Sequence, residues 1–327
     1  MILAWLHRRA EGWQRFWFTP TSSSIFALMR TMLGVSCFFW ALSILPDLRT
    51  FYFDDGLLPE PNYRDNRYGL FQWHTGDTAV VVVWIALVAA SLSLAFGRLT
   101  RLGAPVLWLM LMTMQQGAVN VLNAGDGLLR IWTAYFALFA LFTPNRFLDA
   151  PLLGERTPSG RQWPLAPTWL VRIAQIQLTI IYPATIIAKL EGDTWREGTA
   201  SLYALGLVDF ERFWVPAFVR EDLVVGNLIT YFTVAVELSI PFLLWTRRTR
   251  WLGLASGIAM HVGFDYTMRL GFFFPAMLVG YVAFVRPEEL ERFMRRIARL
   301  VRRSRGRGAS RPETVEDVAP ELSGQRE

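Results

Sequence analysis

Lys189 is the only lysine in this chain of 327 residues, in which arginine supplies all the other fixed positive side chains. It follows an apolar segment, Trp169–Ala188, that is long enough to cross a bilayer. A buried lysine can lose its proton and act as a base, whereas an arginine cannot. Ionisable residues in membrane segments are costly and therefore indicate function. We take Lys189 as the first candidate catalytic residue; the alternative is a lysine that merely reaches the membrane interface.

Four more ionisable side chains lie at the same predicted end of their apolar segments as Lys189. Asp126 and Arg130 lie at the start of the fourth segment, and Asp265 lies at the end of the seventh, one turn beyond His261. We expect all five to line one cavity that opens outward, with His261 as a second catalytic residue. Simpler roles stay open, because Asp126 is also placed to cap its helix and a lone histidine is often only hydrogen-bonded.

The fifth apolar segment carries a polar stripe that faces the protein. Pro183 removes a backbone donor one turn before Lys189, which predicts a kink there. Tyr182 belongs to the stripe and is a supporting site residue. With about 100° per residue, the stripe falls within an arc of about 100° and consists of Arg172, Gln175, Thr179, Tyr182 and Lys189.

Two opposite charges lie inside apolar segments at matching depths. Arg30 is in the first segment, and Glu237 is in the sixth, which runs in the other direction. This pattern predicts an Arg30–Glu237 ion pair in the interior of the bundle, with a structural role.

The composition is typical of a polytopic membrane protein. The chain is 53 % hydrophobic and 18 % charged, whereas soluble domains carry about a quarter charged residues. The net charge of +6 could suit nucleic acid, but the arginines cluster beside apolar segments, so we expect no nucleic-acid partner. Cys37 is the only cysteine, which excludes an intramolecular disulfide. The spacing of His, Cys and carboxylates gives no metal signature, so we expect no metal site.

The apolar segments predict an all-α, polytopic membrane bundle of about eight transmembrane helices. Arginine-rich connections alternate with long connections that are more acidic than basic, so the positive-inside rule places both termini in the cytoplasm. The predicted segments are Ser22–Ile44, Thr78–Phe96, Leu102–Val119, Leu128–Phe142, Trp169–Ala188, Leu223–Trp245, Trp251–Phe264 and Leu270–Phe284.

Four regions follow from this pattern. Residues 1–21, with tryptophans among arginines, predict an interfacial N-terminal segment, and residues 22–286 predict the transmembrane domain. Residues 287–304 predict a basic amphipathic helix on the anionic inner leaflet, so membrane lipid is an expected partner. Residues 305–327 are polar and predict a disordered tail. The sequence identifies no protein partner.

A family resemblance begins beside Lys189. The vitamin K-dependent gamma-carboxylase family has the signature Lys-Leu-acid-x-Asp-Trp-x-x-Gly, which is similar to IIAKLEGDTWREGTASLYAL (Ile186–Leu205). Bacterial members are called horizontally transferred transmembrane (HTTM) domain proteins. The resemblance covers roughly residues 20–290 and continues, in order, through SIFALMRTMLG, FYFDDGLLP, VELSIPFLLW and MHVGFDYTMRLGFFFPAMLVGYVAF.

The resemblance implies an activity and a location. It implies that Lys189 is the base that deprotonates a reduced, vitamin K-like quinone, whose oxygenation drives carboxylation of glutamate, a lyase reaction. It also implies a bacterial inner-membrane protein whose active side faces outward. The chain departs from the animal enzyme at Ala188, where that enzyme has a second lysine, and at Gly125–Asp126, where it has a histidine.

Two other functional classes fit the same residues. In a non-catalytic membrane partner or immunity-type protein, the buried polar residues would act only as structural clamps. A transporter would also use buried Arg and Glu, although the sequence lacks visible paired halves with interrupted helices.

Overall fold

The computed structural model describes residues 2–57, 69–73, 76–158 and 160–307. Within these ranges the chain is mainly helical, which confirms the all-α prediction. Two short antiparallel strand pairs complete the regular structure: β1 (Thr21–Ser22) pairs with β4 (Leu165–Ala166), and β2 (Glu155–Thr157) pairs with β3 (Gly160–Gln162).

Each of the eight predicted apolar segments contains an α-helix, and shorter helices lie between them. In chain order the α-helices are α1 (Ile2–Phe18), α2 (Ser24–Ser43), α3 (Leu48–Tyr52), α4 (Asp77–Phe96), α5 (Thr100–Gly117), α6 (Ala124–Phe142), α7 (Asn145–Leu148), α8 (Trp169–Glu191), α9 (Asp193–Arg196), α10 (Ala200–Gly206), α11 (Ala217–Glu221), α12 (Leu223–Trp245), α13 (Arg250–Thr267), α14 (Phe273–Val282) and α15 (Pro287–Arg307).

Five helical spans in the described part of the chain are long and apolar enough to cross a membrane. They are α4, α6, α8, α12 and the span Ser24–Tyr52, which begins with α2. The protein therefore has the character of a membrane protein.

The long helices form two groups joined by α14. Helices α2, α4, α5 and α6 pack successively against one another, and α12 packs against both α8 and α13. Helix α14 contacts members of both groups, namely α2, α6, α8 and α13. Its residues Ala276, Met277 and Val279 are fully buried. This short apolar helix is stable because neighbouring helices surround it, since tertiary packing supplies most of a short helix's stability.

Glycine allows the closest helix contact in the first group. A Cβ atom at Gly34 of α2 would overlap the backbone of α4 at Ser91 and Ala95. Small residues at such points let two helices approach backbone to backbone, as is common in membrane bundles.

The segment between α2 and α4 packs over the helix ends where it is described. Tyr52 and Phe71 are buried, the Tyr52 hydroxyl donates to the Met114 carbonyl at 3.1 Å, and the Leu70 amide donates to Thr113 Oγ1 at 3.1 Å. Residues 58–68 and 74–75, also within this predicted outer loop, lie outside the described residues.

The terminal helices pack on the bundle. Helix α1 contacts α8, and the Arg172 guanidinium Nε donates to the Phe16 carbonyl at 3.0 Å. Helix α15 packs against α2 and continues to Arg307, three residues beyond the predicted end at 304. Residues 308–327, which make up most of the predicted disordered tail, lie outside the described residues.

Candidate functional site

Lys189 forms an ion pair with Glu237 at the contact between α8 and α12. Lys189 Nζ lies 2.5 Å from Glu237 Oε1, and the two side chains are 17 % and 6 % exposed. Thr185, one turn before Lys189, donates its hydroxyl to the other carboxylate oxygen at 3.4 Å. The pair is thus enclosed and hydrogen-bonded, which is the condition under which buried opposite charges are tolerated.

The predicted Arg30–Glu237 ion pair is wrong. Arg30 is buried, and its Nη1 atom donates to the carbonyls of Leu148 and Ala150 at 2.6 and 3.0 Å. The position of a residue along its helix does not determine which neighbouring helix its side chain faces. Helix α2 faces α4, α6 and α14, whereas α12 faces α8 and α13.

A cavity of about 640 Å³ adjoins the ion pair. Its walls come from α8, α12, α13, the start of α14 and the connection between α8 and α12, and they are mainly apolar. Lys189, Glu237 and His261 all line it, so the two predicted catalytic residues share one cavity as expected. This size and this mixture of apolar walls with a few polar groups are typical of small-molecule sites.

The connection between α8 and α12, residues 192–222, covers this cavity and is named here the cap segment. Trp195 lies against Lys189, whose Nζ is 4.5 Å from the centre of the indole ring, a cation–π contact. Ser201 in α10 donates to the Gly226 carbonyl at 2.8 Å, and Tyr231 in α12 donates to the Arg196 carbonyl at 2.9 Å. These bonds hold the cap segment against α12.

Sequence reasoning treated the cap segment as an outer loop and missed its role in the site. The available signal was the run Ala200–Leu205, in which small and apolar residues follow one another without a turn residue. Seven residues form α10 there. Such a helix is too short to be stable alone and depends on its packing against α12. The sequence pattern could not reveal that packing.

His261 presents a free ring nitrogen to the interior. The residue is 3 % exposed, and its Nε2 atom lies 3.2 Å from the Tyr182 hydroxyl. Within the described part of the chain, Nδ1 has no hydrogen-bond partner. Tyr182 also bonds the hydroxyl of Tyr281, which the sequence analysis did not single out. The tyrosines orient the ring and leave Nδ1 as the nitrogen available to a ligand.

Comparison of the chain with family models, curated proteins and solved structures gives no match. The family resemblance therefore stays an expectation.

Asp126 and Arg130 do not line the cavity, so the prediction that they join Lys189 there is wrong. Asp126 accepts a hydrogen bond from the Trp40 indole at 2.7 Å and another from the Asn123 amide at 2.8 Å. Asn123 is the N-cap of α6, and Asp126 completes its capping box. Asp126 thus helps to cap α6, as predicted, but it does so from the third helical position, and the N-cap residue is Asn123. Arg130 follows one turn later on the same helix, in the first group rather than beside α12.

Asp265 also lies outside the cavity wall, contrary to the prediction. Its carboxylate accepts a hydrogen bond from Arg212 Nη1 at 2.7 Å. Arg212 belongs to the cap segment, and its amide also bonds the Thr267 carbonyl at 3.3 Å. The pair therefore fastens the end of α13 to the cap segment, and Asp265 supports the site only by holding its cover.

A second cavity, of about 420 Å³, lies between α8 and α12 on another side of Glu237. Thr179, Pro183, Pro241 and Trp245 line it together with Glu237. Each proline removes a backbone donor from its helix. Glu237 thus borders both cavities, and it is the only charged residue among those lining the second.

No group of three or more His, Cys, Asp or Glu that could hold a metal ion occurs among the described residues.

Proposed function

We propose that this chain is an inner-membrane protein of bacteria that binds a reduced quinone, or a similar lipid-soluble molecule with an acidic hydroxyl, and uses Lys189 as a base. In this proposal α2, α4, α5, α6, α8, α12, α13 and α14 are eight transmembrane helices, and both termini are cytoplasmic. The arginine-rich connections support that orientation, and the five long apolar helices support the membrane location.

The observation that carries the proposal is the Lys189–Glu237 pair at the edge of a mainly apolar cavity. Apolar walls suit the ring and tail of a lipid-soluble molecule, and the charged pair suits a hydroxyl that can lose a proton. His261 lines the same cavity and adds a third polar side chain, whose Nδ1 has no hydrogen-bond partner among the described residues. The residues present therefore fit a quinol-like ligand.

In this proposal Glu237 takes up a proton from Lys189, which leaves a neutral amine. At 2.5 Å, the proton on Lys189 Nζ can pass to Glu237 Oε1 along their hydrogen bond. The neutral amine then accepts a proton from a ligand hydroxyl, and His261, whose ring Tyr182 holds in place, positions that hydroxyl. A bound reduced quinone would supply the oxygen-dependent chemistry that the family resemblance implies.

Lys189 variants test this function. Purified protein in liposomes is supplied with a reduced naphthoquinone, and its consumption is followed spectroscopically. We expect Lys189→Ala to abolish turnover and Lys189→Arg to be as damaging, because an arginine keeps its proton. Unchanged turnover in Lys189→Ala would exclude the proposed role, and an active Lys189→Arg would show that only the charge is needed.

The enclosed ion pair also favours a second candidate, a non-catalytic membrane partner in which Lys189 and Glu237 only hold α8 against α12. In that case gently solubilised protein retains no quinone, whereas the proposed function predicts a co-purifying quinone. Mass spectrometry of the purified protein distinguishes the two.

A further inference from the structure

A basic pocket lies where the C-terminal helix meets the β2–β3 hairpin, away from the site described above. The pocket encloses about 510 Å³, and arginine supplies most of its wall. One arginine comes from β3 and four come from α15: Arg161, Arg292, Arg295, Arg296 and Arg299.

Helix α15 has three faces, and its arginines occupy one of them. Leu290, Met294 and Ala298 are buried and form the face that packs on the bundle. A second face is apolar but uncovered, since Phe293 and Leu300 are 60 % and 63 % exposed. The four arginines, of which Arg295 and Arg296 are adjacent in sequence, form the third face. The arginine face is therefore flanked by an apolar surface with no protein partner among the described residues.

The positive charge of this pocket is only partly balanced within the described residues. Arg295 pairs with Glu291 at 3.1 Å, and Arg161 donates to the carbonyls of Leu153 and Gly154. In the described part of the chain, Arg296 and Arg299 form no ion pair or hydrogen bond. Bringing guanidinium groups together around one cavity is unfavourable unless an anion joins them.

The hairpin adds a further like-charge contact. Arg156 lies directly opposite Arg161 in the antiparallel pair of β2 and β3. Directly opposed residues on neighbouring strands share a face, and like charges in that arrangement destabilise a sheet. A negatively charged ligand at the pocket would relieve this repulsion as well.

We propose that this pocket binds the phosphate headgroup of an anionic phospholipid, whose acyl chains lie along the exposed apolar face of α15. Guanidinium forks match phosphate oxygens in geometry and charge. Helix α15 directly follows the apolar α14, which places it at a membrane surface. A soluble phosphate compound would use the arginines but leave the adjacent Phe293 and Leu300 uncovered, so a lipid accounts for both faces. The site is independent of the quinol proposal.

Binding of phosphatidylglycerol to the detergent-solubilised full chain tests the pocket. Arg296→Gln/Arg299→Gln removes two of its charges, and Arg247→Gln/Arg248→Gln removes two exposed arginines between α12 and α13 as a matched control. Each arginine near an anionic lipid strengthens binding about fivefold, so we expect the pocket variant to bind about 30-fold more weakly. The control should bind like the unaltered chain, and phosphatidylcholine should not be retained. Native mass spectrometry measures lipid binding by the unaltered chain and by both double variants, with each of the two lipids.

Three results would overturn the proposal. Equal weakening in both double variants would show that only overall charge matters, and unchanged binding in the pocket variant would place the lipid elsewhere. If inorganic phosphate alone bound as tightly as phosphatidylglycerol and displaced it, the ligand would be a soluble phosphate instead. Thermal unfolding verifies that each variant is folded. If the double variant fails to fold, Arg292→Gln gives the same test with an expected fivefold weakening.

Discussion

Glu237 is the residue on which both cavities depend. Its carboxylate accepts hydrogen bonds from the Lys189 ammonium and the Thr185 hydroxyl. The same side chain lines both the larger and the smaller cavity. An enclosed ion pair is weak evidence for stability, because both partners lose hydration and a well-packed apolar pair often does as well. In the proposed function the pair has a chemical role as well.

A double-mutant cycle separates stability from function at this pair. Lys189→Met and Glu237→Gln should each lower the free energy of unfolding by about 3 kcal/mol, because each leaves one enclosed charge unpaired. The double variant leaves no enclosed charge. Its free energy of unfolding should therefore return at least halfway to that of the unaltered chain, while turnover stays absent. Unfolding in denaturing detergent, followed by tryptophan fluorescence, gives the stabilities.

The control for this cycle is the exposed Arg49–Asp55 pair. Its removal by Arg49→Gln/Asp55→Asn should change stability little, because solvent screens such pairs. Additive losses at Lys189 and Glu237, with no recovery in the double variant, would contradict the interaction. Recovery of turnover together with stability would assign the pair a structural role only.

At the scale of elements, the fit of α13 against α14 orients His261. A Cβ atom at Gly257 of α13 would overlap the hydroxyl of Tyr281 of α14. That hydroxyl bonds Tyr182, which in turn lies 3.2 Å from His261. Gly257 is one turn before His261 on the same helix, so the helix contact and the orientation of the ring depend on the same small residue.

Alanine at Gly257 should therefore destabilise the protein by about 1–3 kcal/mol, the usual effect of excess volume in a packed interior. Gly263→Ala on the same helix is the matched control, because its Cβ would meet no atom within 4 Å. There alanine should stabilise by up to about 1 kcal/mol, since it is the better helix former. Thermal unfolding of the two variants measures the difference. Equal stability of both would show that Tyr281 moves aside without loss.

The sequence predicted these elements well where length and apolarity decide. The sixth predicted segment, Leu223–Trp245, coincides with α12. Helix α8 begins where the fifth predicted segment begins and ends at Glu191, three residues after the predicted end at Ala188. Short helices such as α10 were not predicted, because packing rather than composition stabilises them. The pairing of Glu237 with Lys189 was not predicted for another reason. The sequence gives the position of a residue along its own helix, but which side chains meet depends on which helices are neighbours.

At the scale of the whole molecule, charge is divided between the connections. The cap segment carries more acidic than basic residues, whereas arginines dominate the connections at 97–99 and 246–249 and the helix α15. In a membrane this asymmetry orients the chain, because arginine-rich connections remain on the cytoplasmic side. The quinol cavity under the cap segment and the lipid pocket on α15 would then lie on opposite sides of the bilayer.

Cysteine labelling tests that orientation. Cys37 is buried, so the unaltered chain should not react with a membrane-impermeant maleimide and provides the baseline. In spheroplasts, Asp209→Cys in the cap segment should be labelled, because the proposed orientation places that segment outside. Arg98→Cys and Arg247→Cys should be labelled only after the membrane is opened, because the proposed orientation places their connections in the cytoplasm. All three positions are exposed. Labelling of Arg98→Cys but not Arg247→Cys in intact spheroplasts would require an odd number of crossings between them. That result would contradict the eight-helix arrangement and place the two proposed sites differently across the membrane.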